Sequence, residues 1–115
     1  MTRHLGAEAE TIALHYLQAR GLTLLARNYY SRFGEIDLVM QDQSHVVFVE
    51  VRHRHKAAFG GALESITPSK QRKLRNTATI YLLQHFTTQP PCRFDIICLQ
   101  GGLTSPEIQW LNNAF

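Results

Sequence analysis

The sequence predicts an α/β domain in the order helix, three strands, helix, then one or two strands. Three observations carry this expectation. Apolar residues at helical spacing open the chain; two strand-like runs joined by a short polar turn follow; a capped second helix then precedes further strand-like segments.

The first helix is expected from about Leu5 to Arg20. Leu5, Ala9, Ile12, Ala13, Tyr16 and Leu17 recur at helical spacing, and Gly21 stands where a stop belongs. Leu22 to Tyr30, rich in apolar and aromatic residues, reads as a strand leading through Ser31-Arg32-Phe33-Gly34 into the next. Two runs then bear acids among apolar neighbours: Gly34 to Val39, and Val46 to Arg52. Side chains alternate faces along a strand, so Glu35 and Asp37 share one face of the first run, and Glu50 and Arg52 share one face of the second. Ile36, Leu38 and Met40 then point the other way, as do Val47, Val49 and Val51, toward a core. A two- or four-residue loop within Gln41-Asp42-Gln43-Ser44 sets Asp37 opposite or diagonal to Glu50, whereas a three-residue loop separates them.

After a loop containing Gly60 and Gly61, Thr67 as N-cap and Pro68 in the first turn start a second helix reaching about His85. Leu74, Ala78, Tyr81 and Leu82 form its expected buried stripe. Thr87 to Pro91 breaks the chain. Arg93 to Leu99 reads as a strand, Gly101-Gly102 as a turn and Glu107 to Leu111 as a short final strand.

With 115 residues and 44% hydrophobic content, residues 1–115 are expected to form one domain. No apolar run approaches the roughly 18 residues of a membrane span, and the start lacks a signal-peptide pattern, so a cytoplasmic protein without a membrane partner is expected. Cys92 and Cys98 lack zinc-site spacing and read as reduced thiols. The net charge of +3 is modest, but seven of the 12 Lys and Arg are Arg52, Arg54, Lys56, Lys70, Arg72, Lys73 and Arg75. Cations clustered in this way suit a phosphate backbone, and equally a solvated helix face.

Carboxylates gathered beside apolar residues repel one another unless a cation sits between them; a hard divalent metal, which favours oxygen ligands, is the expected one. A further acid comes from the first helix, where Glu10 falls between Leu14 and Leu17 at the edge of the apolar arc. There it either takes a metal or an arginine as partner or reaches out to water.

Asp37 followed by Glu50-Val51-Arg52 resembles the minimal signature of the PD-(D/E)XK nucleases. More specifically, Gly6 to Glu10, Ala13, Tyr16-Leu17, Gly21, Arg27-Asn28, Gly34 to Leu38, Val47 to Arg52, Arg54, Lys70 and Arg93-Phe94-Asp95 together resemble the YraN family of small bacterial proteins. The resemblance implies a restriction-endonuclease-like fold: a central mixed sheet of four to five strands flanked by helices, in the order α-β-β-β-α-β-β. It also implies a metal-dependent endonuclease that hydrolyses DNA phosphodiester bonds. Kinship with archaeal Holliday junction resolvases points to branched or nicked DNA.

Carried over by motif position, Glu10, Asp37 and Glu50 are the expected catalytic and metal-ligating acids, holding Mg2+ or Mn2+. Glu35 and Asp95 are expected to support them, Asp95 alternatively serving as the partner of Arg93. Arg52 stands where the motif has lysine. It stays charged and has no acceptor, so its expected role is a phosphate clamp, or else a counterion to Glu35. Arg54, Lys56, Lys70, Arg72, Lys73 and Arg75 are expected to grip nucleic acid, with His53 and His55 adding phosphate contacts. A homodimer through Trp110, Leu111 and Phe115 is a further expectation. Two alternatives stand beside cleavage: a non-catalytic nucleic-acid-binding or accessory domain, and a structural protein whose acids are satisfied by internal arginines.

Overall fold

Helix α1 (Arg3–Ala19) packs on one face of a five-stranded sheet and helix α2 (Pro68–His85) on the other, in a computed structural model that describes residues 3–54 and 63–115. The strands are β1 (Thr23–Ser31), β2 (Gly34–Asp42), β3 (His45–Arg54), β4 (Cys92–Gln100) and β5 (Glu107–Leu111), and they lie side by side in chain order. Neighbours run antiparallel except β3 and β4, which are parallel. A parallel pair needs a long crossover, and α2 provides it. This is the mixed sheet and element order expected of a restriction-endonuclease-like fold.

Helix ends fall where local chemistry puts them. Gly21 adopts φ +95° and closes α1, its N–H bonding Gln18 O at 3.0 Å while Leu22 N–H bonds Leu17 O at 3.2 Å. Thr67 Oγ1 accepts the Lys70 N–H at 3.1 Å, and Pro68 follows in the first turn, where a missing N–H costs nothing. Thr77 joins the expected stripe of Leu74, Ala78, Tyr81 and Leu82 as a buried residue of α2.

The β2–β3 hairpin closes through Gln43 and Ser44, with Asp42 paired to His45 and Gln43 at φ +55°. Such a two-residue turn fixes the register that sets Asp37 toward Glu50. The paired ladder ends at Leu38 and Val49, where the Asp37 carboxylate takes over by accepting the Val51 N–H at 2.8 Å.

Two cores result. Val46 and Phe48 join α2 residues, while Val47, Val49 and Val51 join Ala9, Ala13, Leu14 and Leu17 of α1. One expectation is corrected. Leu38 and Met40 face α1, but Ile36 belongs to the α2 core, so strict alternation fails across Asp37. On β1, Asn28 with φ +54° lies between Arg27 and Tyr29, the partners of Leu38 and Ile36. A left-handed residue, which asparagine tolerates better than most, interrupts the pleat there.

The residues expected to mediate self-association are used within the chain. Trp110 meets Tyr16 edge-on at 6.5 Å, Phe115 stacks on Phe94 at 5.1 Å, and Leu111 packs against the α2 core. Both cysteines are free, Cys98 inside the core. Among the described residues no helix is long and apolar enough to cross a membrane. Gly60, Gly61, His55 and Lys56 lie outside the described residues.

Candidate metal centre and basic pocket

Glu35 and Asp37 of β2 and Glu10 of α1 bring carboxylate oxygens within 4.8 Å of one another. The break in alternation at Asp37 and the packing of α1 on the sheet make this meeting possible. Glu10 Oε1 also lies 3.6 Å from Arg27 Nε. That guanidinium is anchored to α1, its Nη2 donating to Ala7 O and Thr11 Oγ1 at 2.8 Å each. Glu10 therefore faces both partners weighed for it, an arginine and an acid group suited to a metal. Glu35, expected only to support the ligands, is a member of the group itself.

Asp37 is the acid most in need of a cation. Burial, a side-chain hydrogen bond with Glu50, and the charges of Glu50 and Glu10 push its carboxyl up to about 9, against the opposing pull of the Val51 N–H. No lysine, arginine or histidine forms an ion pair with it among the described residues.

Glu50 is 6% exposed and has two cations, Lys70 Nζ at 2.8 Å and Arg52 Nη2 at 3.3 Å. Arg52 thus pairs with its own strand neighbour on the same face. Its Nε is buried without a hydrogen-bond partner among the described residues. Lys70 arrives from the first turn of α2, held in place by the Thr67 cap. Glu50 and Lys70 border a pocket of about 380 Å³ lined also by Gly34, Glu35, Asp37, Thr67, Ser69, Lys73 and Leu74.

The expected basic surface divides. Lys70 and Lys73 line the pocket. Arg75 instead lies over the rings of Phe94 and Phe115, at 5.1 and 5.6 Å, so it is committed to another side of α2. Arg72 is exposed, and Arg54 is half-buried at the end of β3. His53, expected at phosphate, has a ring nitrogen 2.8 Å from Gly101 O and ties β3 to the β4–β5 turn.

Asp95 takes the second of the two roles weighed for it, as the partner of Arg93. Fully buried, it accepts from Arg93 Nε at 3.1 and 3.2 Å, Trp110 Nε1 at 2.9 Å and the Asn113 N–H at 2.8 Å. It fastens the C-terminal segment to β4, the structural alternative weighed for it. Arg93 extends the link to Asp42 at 3.0 Å.

The Lys70–Glu50 and Arg27–Glu10 contacts escaped the sequence reading. Only the placement of Lys70 in the first turn after Thr67-Pro68 hinted at the former.

The donor set of the acid group is all carboxylate oxygen, which suits a hard ion such as Mg2+ or Mn2+ rather than zinc or copper. Asp37, half-buried among acids with no ion pair among the described residues, fits the same ion.

A family model described as "Uncharacterised protein family UPF0102" matches residues 9–99. Similar proteins include the UPF0102 protein of Nitrosococcus oceani, 49% identical over 114 residues (98% of this chain and 92% of that one). The UPF0102 protein of Pseudomonas putida KT2440 is 53% identical over 113 residues, covering 96% and 90%. That of Nitrosomonas eutropha is 52% identical over 114 residues, covering 99% and 95%. With a model match across most of its length and such identities, the chain belongs to the UPF0102 family, the YraN-like group its motifs resemble.

Proposed function

We propose that the pocket hydrolyses phosphodiester bonds of DNA, branched or nicked DNA in particular, with Mg2+ or Mn2+ held by Glu10, Glu35 and Asp37 beside Glu50. One observation carries the reading: half-buried Asp37 sits among three other acids, with no ion-pair partner among the described residues, next to a pocket bearing lysines. When bound, a divalent cation supplies charge neutralisation at the phosphate and acidifies water.

The protein's own groups divide the remaining work. Water attacks phosphorus, one ester P–O bond breaks, and the water's proton passes to a pocket carboxylate while the departing oxygen takes a proton from solvent. Lys70 and Arg52 offer N–H donors to the non-bridging oxygens, where negative charge grows in the transition state. Arg52 Nε, a buried donor in want of an acceptor, suits that task. Lys70 supplies from α2 the amine that β3 lacks. Lys73, on the same pocket wall, extends the cationic rim along which a backbone would run.

A second reading has support of its own. Lys70 and Arg52 already neutralise Glu50, as in a nucleic-acid-binding domain without turnover. Labelled duplex, nicked, flap, four-way-junction and single-stranded DNA incubated with Mn2+ separates the two. Hydrolysis is expected of the wild type and not of Glu50→Ala, which controls for contaminating nuclease. Salt-dependent binding with no cutting of any substrate selects the second reading.

A further inference from the structure

The β1–β2 hairpin exposes two aromatic rings, on residues whose chain neighbour Gly34 and strand partner Glu35 line the pocket. Tyr30 is 66% exposed and Phe33 37% exposed, and the Arg32 guanidinium lies 4.9 Å from the centre of the Phe33 ring. What singles these rings out is their place. Tyr30 pairs directly with Glu35, and directly opposed residues in an antiparallel pair project on one face with Cβ atoms about 5 Å apart. Tyr30 therefore flanks an acid of the candidate metal group. Gly34, one residue beyond Phe33, lines the pocket.

The turn is braced. Ser31 Oγ accepts the Phe33 N–H at 3.0 Å and lies 2.7 Å from Thr77 Oγ1 on α2, while Gly34 takes φ +154°, a conformation side-chain-bearing residues avoid. The turn that carries the two rings and the guanidinium is thus fixed next to the strand that bears Glu35.

We infer that Tyr30 and Phe33 form a stacking platform for an unpaired nucleobase, which selects DNA that is single-stranded or opened beside the bond to be cut. The inference rests on the proposed nuclease reading and names its substrate class. A base inside a duplex is already stacked on both faces and has none to offer; a base at a gap, flap or junction has. Planar rings with an adjacent guanidinium match such a base in shape and polarisability, whatever its identity. The cationic rim of Lys70 and Lys73 places the backbone of the same strand at the pocket.

The test uses the full chain in EDTA, so that binding is read without cleavage. Oligonucleotides carry 2-aminopurine, whose fluorescence falls on stacking, at successive positions of a single strand, a gapped duplex and an intact duplex. Quenching is expected at one position of the single-stranded and gapped DNA, with affinity above that for intact duplex. Y30A/F33A should lose the quenching and bind gapped DNA about tenfold more weakly or worse, within the range known for base–aromatic stacking. Phe33→Trp, which keeps a ring, should keep both. Unchanged affinity and quenching in Y30A/F33A, preference for intact duplex, or no DNA binding at all overturns the inference. Stacking without Mn2+-dependent cutting sinks hydrolysis alone; cutting with no dependence on the two rings sinks the platform alone.

Discussion

Lys70 Nζ lies 2.8 Å from Glu50 Oε2, so a lysine absent from β3 is present in space, delivered by the first turn of α2. Replacing it with methionine removes a donor from the pocket and leaves Glu50 with Arg52 alone. Under the proposed chemistry, Lys70→Met should slow single-turnover DNA cleavage by about 10²–10³-fold, the usual cost of losing a donor aimed at developing charge. Arg52→Lys should keep or raise activity. Similar small losses in both variants would contradict the division of roles.

The cap that positions Lys70 is separable from its charge. Thr67→Ala should cost about 1 kcal/mol of stability in denaturant unfolding, since the Lys70 N–H loses its acceptor. A loss of cleavage beyond that expected from stability would show that the helix terminus aims the lysine.

Asp37, held up at about 9, gives metal binding a pH dependence of definite sign. Below that value a divalent ion must displace the proton, so affinity should rise about tenfold per pH unit as pH 9 is approached, then level off. Calorimetry near neutral pH in buffers of differing ionisation enthalpy should register about one proton released per ion. Flat affinity without proton release would contradict the shift.

Stability without metal should run the opposite way. The folded-state value of about 9 lies above the ordinary 3.8, so the native state keeps a proton that the unfolded chain gives up. This group's contribution is fully present below about pH 4 and declines by at most about 1.4 kcal/mol per pH unit until about pH 9. Asp37→Asn, which cannot ionise, should therefore melt higher than wild type in alkaline EDTA. An equal or lower melting temperature would argue against a half-buried, proton-holding acid.

Asp95 provides the contrast of a buried acid outside the candidate centre. Removing its carboxylate in Asp95→Ala leaves Arg93 half-buried and Trp110 Nε1 and the Asn113 N–H without this acceptor. A loss of about 3–5 kcal/mol is expected in denaturant unfolding, with metal affinity of the folded fraction unchanged. A matching fall in metal affinity would place Asp95 in the centre after all.

Elements were legible wherever the signal was local. Thr67-Pro68 marked the start of α2, Gly21 the end of α1, and Glu107–Leu111 emerged as a strand with its expected bounds. Strand parity left Asp37 beside Glu50 as one of two outcomes, and the two-residue turn of the structure selects it. Less visible were features set by distant segments. Ile36 joins the other core beside a left-handed Asn28 on the neighbouring strand, and the Arg27 and Lys70 contacts need tertiary packing to exist. Glu35 was seen on the same strand face as Asp37, yet motif position assigned it a supporting role. Only the approach of α1 brings Glu10 to both.

The most direct measurement is an Mn2+ titration of wild type and Asp37→Asn, followed by calorimetry or electron paramagnetic resonance in the absence of DNA. Saturable binding by the wild type and its loss in Asp37→Asn, with the variant still folded by circular dichroism, is the expected result. No saturable binding by the wild type, or undiminished binding by Asp37→Asn, would contradict a carboxylate metal centre.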